Sequence, residues 1–179
     1  FVELRNLTAQ PVPLYDPPHP TNTWRLDGVD FTFPMGVTLP AGGYALVVNF
    51  DPDADPAALQ AFRQRYFLPP TVPLYGPARG RLANEGERLA LLRPDAPQTT
   101  ANPYIGYVPY IEVDTVNYLP GAPWPTGATG TGWSLQRRLG SLFADDPAHW
   151  EAAPPTPGGL NYTAATTDAD EDGLPDAWE

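Results

Sequence analysis

Twelve residues near the end of the sequence carry its densest chemistry. From Asp168 to Glu179 the order is Asp-Ala-Asp-Glu-Asp-Gly-Leu-Pro-Asp-Ala-Trp-Glu, so side-chain oxygens stand at loop positions 1, 3, 5, 9 and 12, with glycine at 6. Ca²⁺ binds about six to eight hard oxygens, and alternate side chains of a tight loop converge on one centre. Gly173 permits the sharp reversal such a loop needs. The expected metal ligands are Asp168, Asp170, Asp172, Asp176 and Glu179, the last bidentate, with Leu174 supplying its backbone carbonyl; the expected cofactor is Ca²⁺. An affinity of ~10⁻⁴ to 10⁻³ M, the range of extracellular modules, would suit surroundings rich in calcium.

Other candidate groups are sparse. Asp51-Pro52-Asp53-Ala54-Asp55-Pro56 repeats the alternating acids but lacks the glycine and the distal glutamate, and it reads as a helix cap followed by proline at the first helical position. Asn6-Leu7-Thr8 and Asn161-Tyr162-Thr163 have the glycosylation pattern, yet asparagines that cap turns account for both. His19 and His149 are the only histidines and Ser134 and Ser141 the only serines, with no nucleophile-elbow context. No phosphate-cradling glycine loop is present. The chain has no cysteine, which removes disulfides, thiolate catalysis and Cys-ligated zinc. No catalytic residue is assigned, and the chain is read as non-enzymatic.

The elements that must position these groups are β-strands. The 179 residues hold 25 prolines and 16 glycines, too many for long helices, because interior proline breaks the helical hydrogen-bond ladder. Val2 and Leu4 alternate with Glu3 and Arg5. Val29, Phe31 and Phe33 are expected inward, with Asp30 and Thr32 outward. Tyr44 to Val48 is apolar on both faces, which predicts a central strand. Leu59, Phe62 and Tyr66 recur at helical spacing, so one inserted helix is expected over about 55–67. A turn at Asn84 to Gly86 leads into a strand ending near Leu92. The apolar phase slips between Val113 and Val116, which predicts a β-bulge near Asp114 or Thr115. Trp133 to Arg137 reads as the last strand, and residues 120–131 and 151–159 as connections.

Charge is unevenly placed. The net charge is −11, with six acids and no base in the last twelve residues against 15 acids and ten arginines elsewhere. Nucleic acid and anionic membrane are disfavoured, since phosphate binding needs clustered cations. No apolar run reaches the ~18 residues of a membrane span, so membrane insertion is not expected.

Taken in order, several of these stretches resemble the lamin-tail domain: Val2-Glu3-Leu4-Arg5-Asn6, Phe31-Thr32-Phe33-Pro34, Leu39-Pro40-Ala41-Gly42-Gly43-Tyr44, Leu82 to Leu91, Val113 to Tyr118, Ser134-Leu135-Gln136-Arg137, Trp150 and Thr156 to Asn161. The resemblance implies an all-β, immunoglobulin-like β-sandwich over 1–161, here with a short inserted helix and a stretched Pro-rich run at 11–20. Residues 162–179 form a linker and calcium loop. Pro175 replaces the β-branched residue by which paired EF-hand loops join, so the loop is closer to thrombospondin type 3 or dockerin repeats. The family has no catalytic residues to carry over. It implies an interaction module, and the absence of lysine with abundant Ala, Pro and Arg suggests a GC-rich bacterial genome. The expectation is a non-catalytic structural or attachment module of a bacterial secreted or cell-surface protein, whose partner is a protein or a surface or matrix component. The alternative is a carbohydrate-binding module beside an extracellular hydrolase, stacking sugars on Trp24, Trp124, Trp133 or Trp150. A coplanar exposed tryptophan pair would favour that alternative, and buried tryptophans would count against it.

Overall fold

The computed structural model describes residues 1–100, 103–138 and 143–161. In chain order their elements are β1 (Val2–Arg5), β2 (Val12–Pro13), β3 (Tyr15–Asp16), β4 (His19–Thr23), β5 (Arg25–Asp27), β6 (Phe31–Thr32), β7 (Thr38–Leu39), β8 (Tyr44–Val47), α1 (Pro56–Tyr66), β9 (Leu74–Tyr75), β10 (Glu87–Pro94), β11 (Tyr110–Tyr118), β12 (Ser134–Arg137) and β13 (Trp150–Ala153). The fold is an all-β sandwich with a single short helix. One sheet has the order β1-β8-β9 and the facing sheet β11-β10-β5-β6, while β12 and β13 form a separate hairpin.

The core forms where the two sheets face each other. Leu26 of β5, Phe31 of β6, Phe33, and Ala45 and Val47 of β8 are buried in one cluster with Leu14 and Trp24, and Leu89 and Leu91 of β10 pack against it. Each such side chain stabilises the fold by roughly 1.5–3 kcal/mol through removal from water. Val29, Phe31 and Phe33 point inward and Asp30 and Thr32 outward as expected, although only Phe31–Thr32 belongs to the ladder. The phase is right and the strand is shorter.

The two-faced run at Tyr44 to Val48 lies where its composition demands. β8 sits between β1 and β9, with Ala45 and Val47 in the inter-sheet core. Leu46 points the other way and is fully buried against Leu68, Val72, Phe62 and Tyr66. The inserted helix therefore roofs the outer face of this sheet. Asp55 caps it, its side chain accepting from the Ala58 N–H at 2.9 Å. Asp51 accepts from the N–H groups of Asp53 and Ala54, so the alternating acids at 51–55 are turn and helix caps.

The helix ends on Phe67, a non-glycine residue in the left-handed region at φ 52° with its ring 94% exposed. That conformation brings Cβ close to the backbone and is normally taken by glycine. The ring buries almost nothing in return. Phe67→Gly is expected to raise stability by about 0.5–1 kcal/mol, read as an increased midpoint in urea at unchanged slope.

The Pro-rich run at 11–20, expected as a stretched strand-turn-strand at a sheet edge, contains the short ladders β2 with β7 and β3 with β4. Two expectations need correction. Residues 151–153 belong to a strand, β13, which pairs antiparallel with β12 from Ser134↔Ala153 to Arg137↔Trp150. The bulge falls one residue early: Leu91 pairs with Asp114 and Leu92 with Glu112, which leaves Val113 as the extra residue.

Candidate interaction site

Two features of the sandwich lie at opposite ends of its longest hairpin. The first is an open cleft of about 900 Å³ lined by residues of β1, β10, β11, β12 and β13 and their flanking segments, Leu89 and Leu91 of β10 among them. Leu4, Leu14, Leu135 and Trp150 line it as well, together with the charged Glu3, Arg5, Asp114, Arg137 and Arg138. Consecutive residues of β1 reach the cleft, so the strand presents its edge to it. Polar groups line it too. Arg137 donates from Nη1 to Asp114 Oδ2 at 2.6 Å, and Thr156, also in the lining, has a buried hydroxyl without a hydrogen-bond partner.

The second feature is the far end of the β10–β11 hairpin. Beyond the ladder the two chains stay paired through Asp95 N–H to Pro109 O at 2.8 Å, Gln98 N–H to Tyr107 O at 2.9 Å and Gly106 N–H to Gln98 O at 2.8 Å. The base is braced by Arg25, whose guanidinium lies 4.0 Å from the centroid of the Tyr110 ring, and by the Tyr110 hydroxyl on Thr23 O. The tip presents Tyr104, Ile105 and Tyr107, each about 60% exposed. Sequence reading overlooked this tip, yet its signal was available: residues 96–111 contain no charged side chain in a chain of net charge −11.

Glu3, which also lines the cleft, sits on the outer face of β1 across the ladder from Leu46. Its Oε2 accepts from the Gly158 N–H at 2.6 Å and ties the segment after β13 to the first strand. Burial raises its pKa from 4.5 to about 7, against the opposing pull of the Gly158 N–H and Arg5. Between those two values the folded chain holds a proton that the unfolded chain has released, so stability falls as pH rises through that window. Wild type should lose a few degrees of Tm between pH 5 and pH 8 relative to Glu3→Gln, which keeps an acceptor for Gly158 but does not titrate. Parallel curves for the two proteins would overturn this assignment.

The remaining candidates are now placed. Asn6 is buried, and its Nδ2 donates toward the carbonyls of Gln10, Leu39 and Pro40 while Oδ1 accepts from Thr8, so it caps its turn. Asn161 donates from Nδ2 to Arg137 O. His19 bonds Asp16 at 2.6 Å and His149 bonds the Phe143 carbonyl at 2.7 Å. The Ser134 hydroxyl instead meets Ala153 O and Gln136 Nε2. Trp24 and Trp124 are buried, and the Trp124 and Trp150 rings tilt at 48° to each other around a buried cluster. Among the described residues no three acidic or histidine side chains gather around a metal position. Asp168, Asp170, Asp172, Leu174, Asp176 and Glu179 lie outside the described residues, as do Ser141 and Trp178. Their donor set is nevertheless all oxygen, which fits calcium and no soft metal.

No family model, no curated protein and no solved structure matches this chain.

Proposed function

We propose that the chain is a non-catalytic interaction module of lamin-tail type from a bacterial secreted or cell-surface protein, with a C-terminal linker stiffened by Ca²⁺. The observation that carries the reading is the hairpin tip. Three large apolar side chains are held out in water on a braced backbone, and such exposed patches on ordered elements mark binding surfaces. Calcium at residues 168–179 would fix the direction in which the sandwich is presented to its neighbour. Trp24 and Trp124 are buried and the Trp124 and Trp150 rings tilt at 48°, which counts against a coplanar pair, whereas Trp133 is half exposed and is the residue on which the carbohydrate-binding alternative would rest.

Calorimetric titration with CaCl₂ tests the linker. Saturable heat with a Kd of ~10⁻⁴ to 10⁻³ M is expected, accompanied by a rise in Tm and lost in Asp168→Ala with Asp172→Ala. Neither heat nor a Tm shift at millimolar calcium would sink the calcium part. Tryptophan fluorescence followed during addition of soluble oligosaccharides should stay flat; saturable quenching would instead favour the carbohydrate module.

A further inference from the structure

We propose that the chain cuts itself once at the Asp16–Pro17 peptide bond, with the Asp16 carboxylate as nucleophile and His19 as proton donor. This is a single turnover on the chain's own backbone, with water as the only co-reactant, and it goes beyond the binding role.

Four peptide bonds of the sequence join aspartate to proline: Asp16–Pro17, Asp51–Pro52, Asp55–Pro56 and Asp146–Pro147. A proline nitrogen in the chain carries no hydrogen, so it cannot attack the aspartate side chain and close a stable succinimide. The route left open is attack by the carboxylate on its own main-chain carbonyl, which closes a five-membered anhydride and breaks the bond to proline. Three of the four carboxylates are engaged as caps. Asp51 accepts from the N–H groups of Asp53 and Ala54, Asp55 from that of Ala58 and Asp146 from that of Ala148. Asp16 is held by a histidine instead: His19 Nδ1 lies 2.6 Å from Asp16 Oδ2.

The hairpin fixes this pair. Asp16 of β3 stands opposite His19 of β4, across a turn of Pro17 and Pro18 whose ring-locked φ angles leave it little freedom. The Asp16 side chain is 16% exposed and that of His19 47%, so the carboxylate is sheltered while the imidazole exchanges protons with water. The same spacing recurs at Asp146-Pro147-Ala148-His149, but with a different geometry. There His149 Nε2 stays 4.0 Å from Asp146 Oδ2, and its Nδ1 meets the Phe143 carbonyl. β10 packs against β3 and β4, and its charged side chains leave the pair alone. Arg88 is paired with Asp27 and Glu112, Glu87 accepts from the Tyr118 hydroxyl, and Arg93 makes no ion pair among the described residues.

In the step itself Asp16 Oδ1 bonds to the Asp16 carbonyl carbon, the C–N bond to Pro17 breaks, and the imidazolium proton of His19 passes to the departing nitrogen. Such general-acid help contributes about 10²–10⁴-fold. Water then opens the anhydride to two carboxylates on residue 16, and the two protons released recharge His19 and the new Pro17 amine. The cut chain stays folded, because β1 pairs with β8, β2 pairs with β7 and Leu14 sits in the core, all on the N-terminal side of the cut.

The intact chain is kept for days in buffer, then denatured and analysed by mass spectrometry for breakage at each of the four bonds. Fragments 1–16 and 17–179 should accumulate at about pH 5.5 at least ~tenfold faster than those from any other Asp–Pro bond. Their rate should fall about fivefold at roughly pH 8.5, where an ordinary imidazole has lost its proton. His19→Gln changes an exposed side chain and should bring this bond down to the rate of the other three at unchanged Tm. Asp16→Asn should abolish the cut. In concentrated urea all four bonds should break alike. Equal rates at the four bonds of the folded chain, or an unaltered rate in His19→Gln, would overturn the proposal. So would a preference over Asp146–Pro147 that persists in urea, since the fold would then have no part in it.

Discussion

Asn6→Asp should lower the stability of the sandwich by about 3–5 kcal/mol, seen as a midpoint in urea shifted down at constant slope and a Tm roughly 10 °C lower. The wild-type amide faces three backbone carbonyls, those of Gln10, Leu39 and Pro40, at 2.7, 3.0 and 3.0 Å. An aspartate oxygen in that place turns three attractions into repulsions at a buried site. Its other oxygen can keep the bonds from Thr8, so the turn itself survives. The loss should shrink at low pH, where the carboxyl protonates and regains one donor. A variant as stable as wild type at neutral pH would show that the amide is not the pin between the end of β1 and the strand at Leu39.

Phe33→Ala should cost a similar amount, about 3–5 kcal/mol, through lost burial and the cavity left behind. The ring is almost fully buried and meets Phe31 edge to face at 5.0 Å and Tyr75 at 5.7 Å. Phe31 belongs to one sheet and Tyr75 to the other, so Phe33 bridges the two layers. Phe33→Leu keeps much of the volume and should lose substantially less. Equal losses for the two variants, measured in urea, would mean that ring geometry rather than filled volume decides this site.

Much of this architecture was legible from side-chain alternation. Val29, Phe31 and Phe33 declare a core face, Tyr44 to Val48 a strand covered on both sides, and Asp55-Pro56 a helix start; all three fold accordingly. Strands β4 and β13 were hidden for different reasons. His19-Pro20-Thr21-Asn22-Thr23 is polar and contains proline, and Trp150-Glu151-Ala152-Ala153 has weak strand propensity; ladder partners impose both. The left-handed Phe67 breaks the local preference outright. The cleft could not be read at all, because it arises where β1 lies beside strands more than 120 residues later. The calcium loop rests on spacing alone, and its residues lie outside the described ones.

The bulge at Val113 has a consequence for colloidal behaviour. β11 is nine residues long and forms the outer edge of its sheet, which would ordinarily offer a row of open amides to any passing extended chain. The extra residue interrupts the two-residue repeat near its middle. Farther along, Asp145 occupies both the Asn117 N–H and its side-chain amide, at 2.7 and 2.8 Å. An incoming strand could follow neither half in regular register, so the exposed edge of the longest strand among the described residues is guarded against cross-β aggregation.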